Sequence, residues 1–217
     1  MNQIGLVNPD TIKVVSWDVD GTLYSIGRMK RQLIGLLVRE TVRRRGRAAW
    51  TELAQLQRYR SRIEAARKSG GALGETVQQT ERTALLHLEQ HWYGQALRRV
   101  GLRPGATELL EFFAAHKIPQ VVFSDYQAGY KLEVLGLKNR FASTYAGECL
   151  GHVKPSPEGF ERIAADFGIP PINLLHIGDR VETDGAGARA AGCQSLILGR
   201  DFSNFATLLR EFQSSRY

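Results

Sequence analysis

The eight residues WDVDGTLY, at positions 17–24, decide the fold of this chain because an apolar run ends there in two aspartates. The run TIKVVSWD, residues 11–18, is rich in β-branched and aromatic residues and predicts a buried strand. Strand alternation places Asp18 and Asp20 on the same side, with Val19 opposite. Burying an unpaired carboxylate is costly. The pair therefore predicts either a bound cation or a reaction that uses both groups.

The second half of the chain alternates between helical and strand patterns. Strands are predicted close to residues 118–123, 143–146, 172–177 and 193–198, with helical segments between them. This alternation predicts an α/β fold with a Rossmann-like, doubly wound parallel sheet. Polar residues stand where the strands end, namely Ser124 after one strand and Asp179 after another. Because such sheets bind ligands at the carboxyl ends of their strands, these groups and the first aspartates are expected in one crevice.

Residues 25–101 differ from the rest of the chain in pattern and in charge. Apolar residues recur there at helical spacing, and no strand pattern interrupts them. This segment holds 16 Lys and Arg against 6 Asp and Glu, whereas the remainder holds 13 against 16. We therefore predict a basic helical cap domain over 25–101, inserted into a discontinuous core domain formed by 1–24 and 102–217.

Composition excludes several classes of protein. The longest uncharged run, residues 167–178, has twelve residues with two prolines and is too short to span a bilayer. Two cysteines, Cys149 and Cys193, cannot form a disulfide framework, and both are expected to be buried thiols. The first ten residues lack a basic start followed by an apolar core, so no secretory signal is visible. We expect a cytoplasmic protein with no membrane partner.

Four short motifs resemble those of the haloacid dehalogenase superfamily, in the same order and spacing. They are DVDGT at 18–22, the strand-terminal Ser124, Lys154 ahead of a helix, and GDRVETD at 178–184. The resemblance extends over nearly the whole chain and is to members with a helical cap after the first motif. It implies a magnesium-dependent phosphatase that hydrolyses a small organic phosphate through an aspartyl-phosphate intermediate. The dehalogenases of the superfamily resemble this chain less, because they lack an aspartate two residues after the nucleophile.

The resemblance also implies a role for each motif residue. Asp18 would be the nucleophile, and Asp20 would protonate the leaving alcohol and then take a proton from water. Ser124 would donate a hydrogen bond to the transferring phosphate, and Lys154 would supply a compact positive charge. Thr22 would support the loop after the first strand.

A magnesium ion follows from the charges that this chemistry brings together. An anionic carboxylate and a phosphate oxygen 4 Å apart repel each other by about 4 kcal/mol at an effective dielectric constant of 20. The resemblance implies that Asp179 and Asp18 bind Mg²⁺ through carboxylate oxygens and Asp20 through its backbone carbonyl. Asp184 would stand behind them and orient waters or Lys154.

Other functions remain alternatives at this stage. A phosphomutase shares all four motifs, and a phospho-aspartate switch also carries an aspartate on a parallel sheet, although Asp20 favours turnover over storage. The basic run at 43–47 could bind nucleic acid, but a solvated helix end is the better interpretation. His87 and His91 have a spacing that could bind zinc, but no third ligand is evident.

The cap supplies one candidate substrate contact. Arg28 follows Tyr24 by four residues and is the first basic residue after the DVDGT motif. A positive charge there would attract anionic substrates into the crevice. We therefore predict that Arg28 favours a substrate with a second anionic group beyond the phosphate.

Overall fold

The computed structural model describes Val7 and residues 9–73 and 79–214, without the side chains of residues 44–46 and 79–82. Five parallel strands form one sheet in the order β3-β2-β1-β4-β5. They are β1 (Val14–Trp17), β2 (Gln120–Ser124), β3 (Ser143–Ala146), β4 (Leu174–Gly178) and β5 (Gln194–Ile197). The predicted α/β class with a doubly wound parallel sheet is confirmed.

Nine α-helices accompany the sheet in the described part of the chain. They are α1 (Ile26–Glu40), α2 (Gly46–Lys68), α3 (Gln79–Val100), α4 (Ala106–Ala115), α5 (Gly129–Val134), α6 (Gly147–Leu150), α7 (Glu158–Asp166), α8 (Ala186–Ala190) and α9 (Phe205–Ser214). Two π-helical turns, Thr41–Arg45 and Val181–Gly185, precede α2 and α8. None of the described helices combines the length and the apolar character that crossing a bilayer requires.

Helices cover both faces of the sheet, which is why β1, β2 and β4 are apolar almost throughout. On one face the Trp17 ring packs against Phe113 of α4 and Phe205 of α9, with ring centroids 6.2 and 5.9 Å apart. On the other face the Phe123 ring meets Phe160 of α7 at 4.8 Å. This packing holds the strand ends in fixed positions relative to one another.

Helices α1, α2 and α3 lie between β1 and α4 in the chain, and we refer to them as the cap helices. The domain division at residues 25 and 101 remains a prediction. Directly after α2, the chain also pairs with the segment that precedes Lys154. There the Val153 amide donates to the Gly71 carbonyl at 2.8 Å, and the Leu73 amide donates to the Gly151 carbonyl at 2.9 Å. This pairing ends one residue before Lys154.

The cysteine prediction is correct for one residue only. Cys193 is buried, whereas Cys149 is exposed. Cys149 lies in the four-residue helix α6, so its small apolar surroundings in the sequence do not place it in the core.

Candidate active site

Three carboxylates from the first and fourth motifs meet at the carboxyl edge of the sheet. Asp18 directly follows β1, Asp179 directly follows β4, and Asp184 lies in the π-helical turn before α8. One oxygen atom of each lies within 4.8 Å of the others. Such π-turns are frequent at functional sites, and this one brings Asp184 back towards the end of β4.

Asp18 is buried and held by two neighbours. Thr22 donates its hydroxyl hydrogen to Asp18 Oδ2 at 2.9 Å, and Lys154 Nζ donates to Oδ1 at 2.7 Å. Burial raises the pKa of Asp18 to about 8, against the opposing effect of Lys154. The lowering effect of Lys154 on the pKa of Asp18 is therefore smaller than the combined raising effect of burial and of the nearby carboxylates Asp179 and Asp184.

A buried network fixes the orientation of Lys154. Its Nζ atom also donates to Asp184 Oδ1 at 2.6 Å, and His176 Nε2 lies 3.0 Å from the same oxygen. His176 Nδ1 in turn lies 2.6 Å from the Ser16 hydroxyl on the adjacent strand. The other oxygen of Asp184 accepts from the backbone amide of Arg180 at 3.0 Å. Both oxygens of Asp184 therefore already have protein donors, which suits a residue that positions Lys154.

Two glycines allow carboxylates to lie close to the backbone: Gly21, in the loop after β1, faces Asp179, and Gly178, at the end of β4, faces Asp184. Gly21 has φ +111°, and a Cβ there would collide with the Asp179 carboxylate. A Cβ at Gly178 would collide with the Asp184 carboxylate. Burial, together with the Asp184 charge, raises the pKa of Asp179 to about 6. The DVDGT and GDRVETD motifs thus contain glycines at the positions where carboxylates must come close to the backbone.

The Asp20 carboxylate has partners different from those of Asp18, and one of them, Arg60, comes from the cap helix α2. Lys131 Nζ lies 2.8 Å from both of its carboxylate oxygens, Tyr24 donates its hydroxyl to one of them, and an Arg60 Nη2 lies 3.5 Å from the other. Burial would raise the pKa of Asp20, but Lys131 and Arg60 outweigh it and hold the pKa well below its ordinary value. The Lys131 side chain is fully buried.

Helix α2 presents one charged face to the strand ends. Arg60, Glu64 and Arg67 are spaced four and three residues apart and therefore share a helix face. Arg60 contacts Asp20 as described, Glu64 accepts from the Arg180 guanidinium at 3.1 Å, and Arg67 Nε donates to Asp125 Oδ2 at 2.9 Å. We call these three residues the α2 charged face. It contacts the loops after β1, β2 and β4.

The second motif lies beside this face. Ser124 is buried, and its hydroxyl oxygen accepts from the Tyr126 amide at 3.3 Å. Asp125 Oδ1 accepts from the Lys154 amide at 2.8 Å. Asp125 therefore fixes the backbone of the loop that carries Lys154.

The structure does not bring every predicted residue to this cluster. Arg28 is exposed in the first turn of α1, and no hydrogen bond or ion pair in the described part of the chain joins its side chain to the aspartates. Burial, together with the positive charge of Arg28, lowers the pKa of Arg103. Arg103 donates to the Gly21 carbonyl at 2.8 and 3.0 Å. Among the described contacts it is therefore Arg103, and not Arg28, that binds the DVDGT loop.

The remaining sequence hypotheses find little support here. His87 and His91 belong to no set of three possible metal ligands among the described residues. The side chains of Arg44 and Arg45 lie outside the described residues, so the basic run at 43–47 remains a prediction.

Sequence reasoning missed several residues of the site. They are His176, Lys131 and the α2 charged face, Arg60, Glu64 and Arg67. A histidine inside the apolar run LLHIG was a usable signal, because a polar residue within a buried strand needs a partner. The charges on α2 and α5 gave no such signal, since solvated helices carry the same residues.

Curated proteins with a similar sequence include two phosphoglycolate phosphatases. A phosphoglycolate phosphatase from Chromobacterium violaceum is 32% identical over 108 residues, which is 48% of each chain. A second phosphoglycolate phosphatase, from Haemophilus influenzae, is 27% identical over 124 residues and 55% of each chain. The chain thus matches about half the length of these curated relatives.

Solved structures share the fold at low sequence identity. A predicted phosphoglycolate phosphatase from Haemophilus somnus aligns with a TM-score of 0.63 and 19% identity, over 93% of this chain and 98% of that one. A 2-haloacid dehalogenase from Pseudomonas syringae aligns with a TM-score of 0.58 and 21% identity, over 95% and 100%. The sequence-family model of the haloacid dehalogenase-like hydrolases matches residues 12–192 of this chain, and these residues include all four motifs. This chain belongs to the haloacid dehalogenase-like hydrolase family.

Proposed function

We propose that the chain is a magnesium-dependent phosphatase that hydrolyses a small organic phosphomonoester. The observation that carries the proposal is the position of Asp18, buried at the end of β1 with Lys154 on one oxygen and Thr22 on the other. Asp20 follows two residues later, where the superfamily's phosphatases have their acid and base. The names of the curated relatives support a phosphate ester as substrate.

In the first step, a carboxylate oxygen of Asp18 bonds to phosphorus as the bond to the leaving alcohol breaks. Lys154 and the Ser124 hydroxyl stabilise the charge on the phosphate oxygens during this transfer. Asp20 is the proposed proton donor to the leaving oxygen. The product of this step is an acyl phosphate on Asp18 and a free alcohol.

In the second step, water attacks the phosphorus of the Asp18 acyl phosphate, and Asp20 takes the proton of the water. The bond from phosphorus to Asp18 breaks, which releases inorganic phosphate and restores the carboxylate. The contacts of Asp20 with Lys131 and Arg60 favour its ionised form, which is the form that this second step requires.

The side chains suit a magnesium ion. Asp18 and Asp179 offer carboxylate oxygens, the hard ligands that Mg²⁺ prefers, and Asp184 adds a third negative charge close by. Burial and this crowding raise the pKa values of Asp18 and Asp179, as expected for a site that a cation completes. We propose that Asp18, Asp179 and the backbone carbonyl of Asp20 hold the ion. When bound, it would offset the repulsion between Asp18 and the phosphate.

The proposal includes the cap and its candidate contact. We assign residues 25–101 to a cap over the crevice and residues 1–24 and 102–217 to the catalytic core. Arg28, whose charge acts on Arg103, is the proposed contact for an additional anionic group.

Phosphate release from a panel of phosphorylated metabolites and aryl phosphates tests the activity, with and without chelator. Release that requires Mg²⁺ and disappears in Asp18→Asn supports the proposal. Full activity in EDTA would contradict the metal assignment. Accumulation of a stable phosphoaspartate without phosphate release would favour a switch over a phosphatase.

A further inference from the structure

A groove runs between the cap helices α1 and α2. It encloses about 650 Å³ and lies within the range of roughly 300–1,000 Å³ that ligand pockets occupy. Its walls are mainly apolar and include Met29, Leu33, Ile34, Leu37, Leu53 and Leu56. Apolar walls of this extent are unlike the charged surface expected of a basic helical segment.

The outer part of the groove exposes large apolar side chains. Ile34 is 62% exposed and Trp50 is 58% exposed, and both line the groove. Exposed apolar groups that surround a concavity mark a binding site more often than scattered ones do.

The inner part of the groove is lined by residues that contact the loops after β1 and β2. Arg60, Arg67 and Tyr126 line it there. The Arg60 guanidinium lies 4.4 Å from the centroid of the Tyr126 ring and 3.5 Å from Asp20. Arg67 is paired with Asp125 in the loop after β2. The groove therefore runs from solvent to residues that contact the ends of β1 and β2.

We propose that this groove binds the apolar body of the substrate's leaving group. The substrate would be a phosphate monoester of an alcohol with an alkyl chain or an aromatic ring, with its phosphate at Asp18 and its apolar part between α1 and α2. Arg60 at the inner end contacts Asp20, which the proposed reaction places beside the leaving oxygen. The inference rests on the proposed phosphatase function and specifies its substrate class.

The size and lining of the groove argue against a very small substrate. A phosphorylated two- or three-carbon acid or aldehyde would leave most of the 650 Å³ unused and would bury little of the apolar wall. An apolar body gains free energy from each group that it removes from water.

A series of n-alkyl phosphates from ethyl to octyl tests this inference, with phosphate release as the measurement. We expect kcat/KM to rise by about threefold for each added methylene, which corresponds to burial of the chain. Binding of octylphosphonate against ethylphosphonate, measured by calorimetry, gives a second readout that does not need turnover. Octylphosphonate should bind at least about tenfold more tightly.

Two variants locate the effect in the groove. Ile34→Ser should lower kcat/KM for octyl phosphate by about threefold to tenfold and leave ethyl phosphate unchanged. Val38→Ser is the matched control, because Val38 is 59% exposed on the same helix and does not line the groove. Leu53→Trp should fill the groove and abolish the preference for long chains without affecting ethyl phosphate.

The outcomes separate this inference from the proposed function. If no phosphate ester is hydrolysed, the phosphatase proposal fails, and the phosphonate titration still decides whether the groove binds apolar chains. If ethyl and octyl phosphates are equally good substrates and the phosphonates bind equally, the groove inference is wrong. Analytical ultracentrifugation tests a different occupant of the groove. If Ile34→Ser loses self-association but keeps the wild-type preference for long chains, the groove inference is wrong and a second copy of the chain binds this face instead.

Discussion

Lys131 Nζ lies 2.8 Å from both carboxylate oxygens of Asp20, although 111 residues separate them in the sequence. Lys131 belongs to α5, whereas Asp20 belongs to the DVDGT loop. The pair holds the proposed acid and base of the reaction in one orientation. It also places a full ion pair where little solvent reaches.

Lys131→Met should destabilise the fold by about 3–5 kcal/mol, because it leaves Asp20 charged, buried and deprived of its main partner. The free energy of unfolding in urea measures this loss. Lys138→Met is the control, since Lys138 pairs with Glu133 in an exposed position and its loss should cost less than about 1 kcal/mol. Equal effects of the two substitutions would show that the Asp20 pair contributes no more than a surface pair.

Asp18→Asn should abolish phosphate release while the unfolding transition persists, because an amide cannot form the acyl phosphate. Activity on an aryl phosphate and the urea midpoint are the two measurements. Asp166→Asn, a change in an exposed ion pair on α7, should leave activity intact. Retention of more than a few per cent of activity in Asp18→Asn would remove Asp18 from its proposed role.

Arg67→Met should lower kcat/KM by about tenfold or more. The buried Asp125 would lose its ion-pair partner, and Asp125 is the residue that holds the backbone of the Lys154 loop in place. Arg62→Met is a matched control on the same helix, where Arg62 is exposed. Steady-state kinetics and unfolding midpoints should be measured for both variants. The role of the α2 charged face would be contradicted if the two arginines behaved alike.

Glu148 should make stability depend on pH. It is 7% exposed, and burial raises its pKa from 4.5 to about 7. Between these values the folded chain keeps a proton that the unfolded chain has lost, so stability falls as pH rises through this window.

Glu148→Gln should remove this contribution and retain the acceptor for the Gln127 amide. The variant should match the wild type near pH 4 and exceed it by on the order of 2 kcal/mol at pH 8. Urea unfolding at both values checks the difference. Glu133→Gln, at an exposed position, is the control and should not gain stability over the wild type at pH 8. If the wild type were more stable than Glu148→Gln at pH 8, the sign assigned to this contribution would be wrong.

Arg28→Ala should raise KM for a substrate with a second anionic group more than for a neutral aryl phosphate, because the charge near Arg103 attracts anions. The effect should fade as salt rises. Arg31→Ala is the control, at an exposed position one turn along α1. Equal KM changes for both substrates would leave Arg28 as a solvated surface group.

The sheet and the positions of the four motifs could be predicted from the sequence because the signals are local. A strand that is apolar on both faces is recognisable within a few residues. DVDGT directly follows β1, Ser124 is the last residue of β2, and GDRVETD begins at the last residue of β4. Parallel strands bring their carboxyl ends to one edge, so the convergence of Asp18 and Asp179 needs no knowledge of the loops.

The partners of those residues were decided by tertiary structure alone. The charges of Lys131, Arg60 and Arg67 have the spacing of any solvated helix, and they are removed from solvent only because the cap helices pack over the strand ends. The same packing of α1 beside α2 creates the groove, whose apolar residues read in the sequence as ordinary helix core. Burial and ion pairing across 40 to 111 residues depend on how whole helices dock, which local periodicity does not specify.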